Sequence, residues 1–327
     1  MVWIYGRLKK LVTLGSVLVA LTSATMMSSC DIANQPSRIV APLPPQGLYE
    51  ECPPADGARC LARLTQMASA GFELVLNYNL LDGPADKVVA YAQQAHTLGM
   101  KVIWPMNNPV FWNGTDVRRY FSDLARTCAC SDNDGFIQYL VNLVKNLPGT
   151  WGYYVGDEVP SAYRRQVEAL ADLIGRLDPS HGRLYVAGAD SISLGAPLAP
   201  FADTADVLGA DYYPIGTTQS IEATAEIATS VQAIASRHNK QSMMVLQAFS
   251  WAQYPHEESR CSPFPDCASF PTKNDMQQMR DLVLRYSHPQ LILWYSYYDI
   301  FRSDNPIAHW TDLVAAADPQ RTTVSSA

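Results

Sequence analysis

Charge and histidine are both scarce in this chain of 327 residues, and no cluster of basic residues occurs in it. Charged residues make up 17%, with 24 Lys and Arg against 31 Asp and Glu, for a formal net charge of −7. That balance argues against a nucleic-acid partner, because phosphate backbones are held by grouped cations. Only six histidines are present. None sits beside a cysteine and none falls at the end of a candidate strand, so no metal is expected, and no cofactor is called for. No Gly-x-Gly-x-x-Gly follows the first strand, which removes the best argument for a dinucleotide-binding sheet. No low-complexity linker divides the chain, and a hydrophobic content of 48% suits one large core.

The apolar run Leu11 to Leu21 is too short for a comfortable membrane span. Arg7, Lys9 and Lys10 precede it, and small and polar residues follow, as in a secretory signal. Met27-Ser28-Ser29-Cys30 resembles a bacterial lipoprotein box, which makes Cys30 the expected lipidation site. Asp31 to about Pro45 is Pro-rich and polar, as suits a tether. The expected organisation is a signal peptide over residues 1–29, a tether over 30–45 and one domain over 46–327. The protein is expected to be exported, either as a lipoprotein at the cell surface or in the periplasm, or secreted. It is expected to touch a membrane only through the N-terminal lipid, and to be a monomer. Setting Cys30 aside leaves six of the seven cysteines: Cys52, Cys60, Cys128, Cys130, Cys261 and Cys267. In an exported chain these suggest up to three disulfides. Cys52 with Cys60 and Cys261 with Cys267 are natural local pairs, whereas Cys128 and Cys130 are too close for an unstrained mutual bond, so their pairing stays open.

The remainder repeats one pattern. Short apolar runs at Gly47–Glu50, Phe72–Leu76, Lys101–Pro105, Thr150–Val155, Arg183–Ala187, Val207–Tyr212, Met243–Gln247 and Leu291–Tyr295 are each followed by helical spacing. Alternation of this kind implies a parallel sheet covered by helices. Eight such units predict an α/β fold, a single (β/α)8 or TIM barrel, rather than an open sheet.

Chemistry in such a barrel gathers at the carboxyl ends of the strands. Those ends supply Asn77 and Tyr78; Trp104 and Asn107; Asp157 and Glu158; Asp211 and Tyr213; Gln247 and Trp251; and Trp294, Tyr298 and Asp299. Glu50 and Asp190 also fall at strand ends. Aromatics, amides and carboxylates predominate, and Lys, Arg and His are missing. Aromatic faces stack on sugar rings, amides and carboxylates bond hydroxyls, and carboxyl pairs cleave glycosidic links. A carbohydrate partner is therefore expected, and phosphorylated substrates are not. For any one Tyr or Trp, barrel packing is the simpler account; for the set it is not.

Gly156-Asp157-Glu158, Asp211-Tyr212-Tyr213-Pro214 and the run Trp294 to Tyr298 make the chain resemble exported glycoside hydrolases of the (trans)glycosidase barrel type. In the clan with paired glutamates the fourth strand ends Asn-Glu. The resemblance implies that Glu158 is the general acid and puts Asp157 where the Asn stands. The clan's nucleophile, a Glu at the end of the seventh strand, is replaced here by Gln247, which cannot form a glycosyl-enzyme. Asp211 is then the preferred partner of Glu158, followed by Asp157, with Glu50 or Asp299 in reserve. Two alternatives remain. Family 20 hexosaminidases also carry Gly-Asp-Glu after the fourth strand, which would make Asp157 the group that orients a substrate acetamide. A barrel that binds carbohydrate without cleaving it would also tolerate Gln247.

Overall fold

Each strand of an eight-unit barrel has two faces to bury, one toward the axis and one toward the helices, so its apolar residues run continuously. The computed structural model describes residues 43–189, 195–254 and 265–318. Within them the strands are β1 (Gln46–Glu50), β2 (Leu74–Asn77), β3 (Lys101–Pro105), β4 (Thr150–Asp157), β5 (Gly182–Gly188), β6 (Val207–Tyr212), β7 (Gln241–Gln247) and β8 (Leu291–Tyr295). They form a closed parallel barrel in sequence order, with β1 pairing to β8. The fold is a single (β/α)8 barrel. The expected signal peptide, Cys30 and the tether up to residue 42 lie outside the described residues.

The helices α1 (Gly57–Ser69) and α2 (Ala85–Thr97) follow β1 and β2. Two short turns, α3 (Val117–Tyr120) and α4 (Ser122–Ala125), lead into α5 (Asn133–Val144) after β3. α6 (Arg164–Leu177), α7 (Gly195–Leu198), α8 (Ala223–Arg237) and α9 (Lys273–Tyr286) follow β4 to β7 in turn, and α10 (Tyr297–Arg302) and α11 (Pro306–Ala317) follow β8. Helix α6 shows why these segments are helical. Val167, Leu170, Ala171 and Ile174 recur at three- and four-residue steps and are all buried, which gives one apolar stripe to lay on the sheet. Starts are capped by side chains: Asp132 accepts from Gly135 N at 2.8 Å, and Thr272 and Asp275 form a reciprocal box at α9.

Alternation along the strands sorts the core into two layers. Leu76, Ile103, Tyr154, Leu184, Val245 and Leu293 pack together inside the barrel. Leu48, Val75, Val102, Tyr153, Leu208 and Ile292 belong to the layer beneath the helices. Strand β4 breaks the alternation with two register shifts, one opposite Val102/Ile103 and one between Tyr154 and Gly156. Such bulges re-aim the residues that follow them, and here the residue that follows is Asp157.

Cys52 is bonded to Cys60, with Cα atoms 5.6 Å apart. Cys128 is bonded to Cys130 across a single intervening residue. Cys267 is disulfide-bonded, and Cys261 lies outside the described residues.

Candidate active site

The second bulge in β4 turns Asp157 into the mouth of the barrel. Its carboxyl accepts from the Tyr78 hydroxyl at 2.7 Å, from Asn107 Nδ2 at 3.4 Å and from the Tyr154 hydroxyl. The Tyr49 hydroxyl donates in turn to that of Tyr154 at 3.1 Å. Burial raises the Asp157 carboxyl above the usual range, and the three donors pull against that shift.

Glu158 follows in the left-handed region at φ 48°, while its N–H still bonds to Val186 O of β5 at 2.9 Å. Its carboxyl lies over Gly188, at the end of β5. A Cβ placed on Gly188 would sit 2.2 Å from Glu158 Oε1, so only glycine leaves room for this placement. Gly188 pairs in register with Asp211 of β6, which brings the acids of β4 and β6 across one glycine. Asp211 is 7% exposed. Burial first, then Glu158, then Asp157 push its carboxyl well above the ordinary range, against a hydrogen bond from Tyr213.

The cleft above these acids has two lobes. One, of about 210 Å³, is lined by Tyr49, Tyr78, Asp157, Phe249, Tyr254 and Tyr295; the other, of about 290 Å³, by Ala189, Thr217, Thr218 and Gln219. Glu158, Asp211, Tyr213 and Trp251 border both. No Lys, Arg or His is among the lining residues described. The aromatic rings brace one another edge to face: Tyr213 with Phe249 and Phe249 with Trp251 at 5.0 Å, and Tyr49 with Tyr295 at 5.1 Å.

Of the residues expected to bind substrate, Tyr78, Tyr213 and Trp251 line the cleft, and Asn107 supports Asp157 beneath it. The others are corrected by strand parity or by local bonding. Asn77, Trp104 and Trp294 point to the helix layer. Asn77 clamps both backbone groups of Cys52, Trp104 Nε1 donates to Thr150 Oγ1, and Trp294 Nε1 donates to Gln46 Oε1. Glu50 shares that parity and pairs with Arg63, its carboxyl pushed up to about 7 by burial. Tyr298 is buried behind Tyr295 and bonds to its hydroxyl. Asp299 is fully buried, held by Ser296, Tyr254 and Arg302. Gln247 is buried with its amide engaged: Oε1 accepts from Ile215 N at 2.8 Å, and Nε2 donates to Ile215 O at 3.0 Å and Phe249 O at 3.1 Å. Asp190 lies outside the described residues.

Tyr49, Tyr154, Tyr254 and the Thr217–Gln219 segment were not foreseen. In β1 the inward residue is Tyr49, and Glu50 has the opposite parity with Leu48, so an expectation that sets Glu50 in the mouth turns Tyr49 outward. Tyr154 is hidden by the bulges, and the loop residues carry no signal.

No protein-family profile and no curated protein matches the chain. Among solved structures it is similar to a candidate alpha-L-fucosidase from Bacteroides thetaiotaomicron, with a TM-score of 0.55 and 9% identity over 91% of this chain and 100% of that one. It is similar also to a glycoside hydrolase family 5 protein from Bacteroides vulgatus (TM-score 0.53, 11% identity, 78% of this chain) and to a beta-galactosidase from the haloarchaeon Halorubrum lacusprofundi (TM-score 0.56, 12% identity, 86%). It spans 58% and 59% of those two chains. At these identities the likeness is one of fold, a (β/α)8 barrel.

Proposed function

We propose that the protein hydrolyses a glycosidic bond, with Glu158 and Asp211 as the working carboxyl pair. The observation that carries this is the meeting of Asp157, Glu158 and Asp211 from β4 and β6 in a cleft of tyrosines and tryptophan whose described lining has no cation. The solved structures that share the fold include glycoside hydrolases, which supports the same class of reaction.

The two acids divide the work by environment. Asp211, buried and repelled by two carboxylates, keeps a proton where an ordinary aspartate would have lost it, as a general acid must. Glu158, on the open side of the cleft, is the base or nucleophile. The roles are thus exchanged relative to the sequence expectation, because burial falls on Asp211 and not on Glu158. Asp157 orients the sugar. Gln247 need not signal a silenced site, since its amide is committed to holding loop backbone.

The test is a panel of neutral oligosaccharides beside glycosyl fluorides, whose leaving group needs little protonation. Asp211→Asn should lose about 10²–10⁴-fold on oligosaccharides and much less on fluorides, while Glu158→Gln should lose both. Sparing of fluorides in Glu158→Gln instead would restore the reverse assignment. A wild type that binds glycans and cleaves none would make this a carbohydrate-binding barrel.

We propose further that the chain is exported, cleaved before Cys30 and lipidated there, and acts as a monomer. The basic and apolar N-terminal segments support export, as do the Cys52–Cys60 and Cys128–Cys130 bonds, which persist in oxidising compartments.

A further inference from the structure

The carboxyl pair stands at the junction of two cavities, not at the bottom of one. Glu158, Asp211, Tyr213 and Trp251 border both. The lobe that holds Tyr49, Tyr78 and Asp157 is the aromatic one. The other is lined by Thr217, Thr218, Gln219 and the small Ala189.

The wall of that second lobe is already shaped. Thr217 N and Oγ1 both donate to Pro214 O, at 3.1 and 2.8 Å, and Gln219 N donates to Thr217 Oγ1 at 3.0 Å. Gly216 makes the turn at φ 84°. Gln247 reaches from β7 and grips Ile215 by both its N–H and its C=O. Contacts offered from a segment held in this way need little ordering when a ligand arrives.

We propose that the second lobe is the leaving-group subsite, taking a neutral sugar ring, with Thr218 as a specificity-determining contact and Gln247 as the positioning residue that holds the loop. Hydroxyl and amide groups match sugar hydroxyls, and the Trp251 side chain offers a surface for the ring. The Glu158 carboxylate on the shared wall disfavours a carboxylate- or phosphate-bearing unit. The inference rests on the proposed hydrolysis but addresses a different part of the cleft.

The experiment compares, for the full chain, the neutral disaccharide cleaved best with the glycosyl fluoride of the same glycone. Fluoride does not extend into the second lobe. Thr218 is exposed, so Thr218→Val should fold, and it should lower the ratio of kcat/KM on disaccharide to that on fluoride about fivefold. Gln247→Glu keeps the shape but has at most one proton to donate where the amide donates to both Ile215 and Phe249, and should raise KM for the disaccharide without speeding the fluoride. An unchanged ratio in Thr218→Val would overturn the subsite, and faster fluoride cleavage in Gln247→Glu would overturn the positioning role. If the wild type cleaves neither substrate, hydrolysis fails separately and the lobe is read by tryptophan-fluorescence titration with cellobiose, maltose and lactose. Weaker binding in Thr218→Val then supports it, while unchanged binding, or none in the wild type, overturns it.

Discussion

Asp211 is held in a state that works against the stability of its own fold. Its folded carboxyl titrates above the unfolded one, so between those two points the native chain binds more protons than the unfolded chain. Stability therefore falls as pH rises through that window. Asp211→Asn removes the dependence: it should melt higher than the parent at pH 7, with the gap closing toward about pH 4, near the ordinary aspartate value. Scanning fluorimetry across pH reads this, and a variant that melts lower at pH 7 would refute it. Glu158 carries a second burden of the same kind, a non-glycine residue in the left-handed region. Glu158→Gly should gain about 1 kcal/mol while losing turnover. Asp157 separates two chemistries. Asp157→Asn keeps the shape and should be mild if Asp157 only orients hydroxyls, but severe if it orients a 2-acetamido group, with kcat on one active substrate as the measure.

Three strands, Lys101–Pro105, Val207–Tyr212 and Leu291–Tyr295, were legible to the residue, because a strand buried on both faces is a continuous apolar run with sharp edges. The apolar run of β4 ends at Val155, but the strand continues to Asp157, since the bulge beside Gly156 carries pairing onward with an unpaired residue in it. The site was legible in its acids and less so in its aromatics. Residues at strand ends can be counted from the sequence, but Trp104 and Trp294 differ from Tyr49 only in parity, and parity is lost wherever a strand bulges. Gln247 was visible as a departure, yet its purpose was not, because its partners at Ile215 and Phe249 belong to backbone that the sequence does not place.

For the molecule as a whole, the export proposal has its own test. Cys30→Ala, produced in a bacterial host, should move the protein from the membrane fraction to the soluble one. Retention on the membrane after the signal has been removed would end the lipoprotein proposal while leaving export and the disulfides intact.

Asn77 and the Cys52–Cys60 bridge bear on how the protein can be manufactured. Both brace the segment after β1, the disulfide by closing an eight-residue separation and the amide by bonding Cys52 N at 3.0 Å and Cys52 O at 2.7 Å. Chain made in a reducing cytoplasm would lack the first brace, at about 2–3 kcal/mol, but keep the second. Such material would be easier to melt yet still correctly shaped around Tyr49, and air oxidation after purification would recover the difference without refolding.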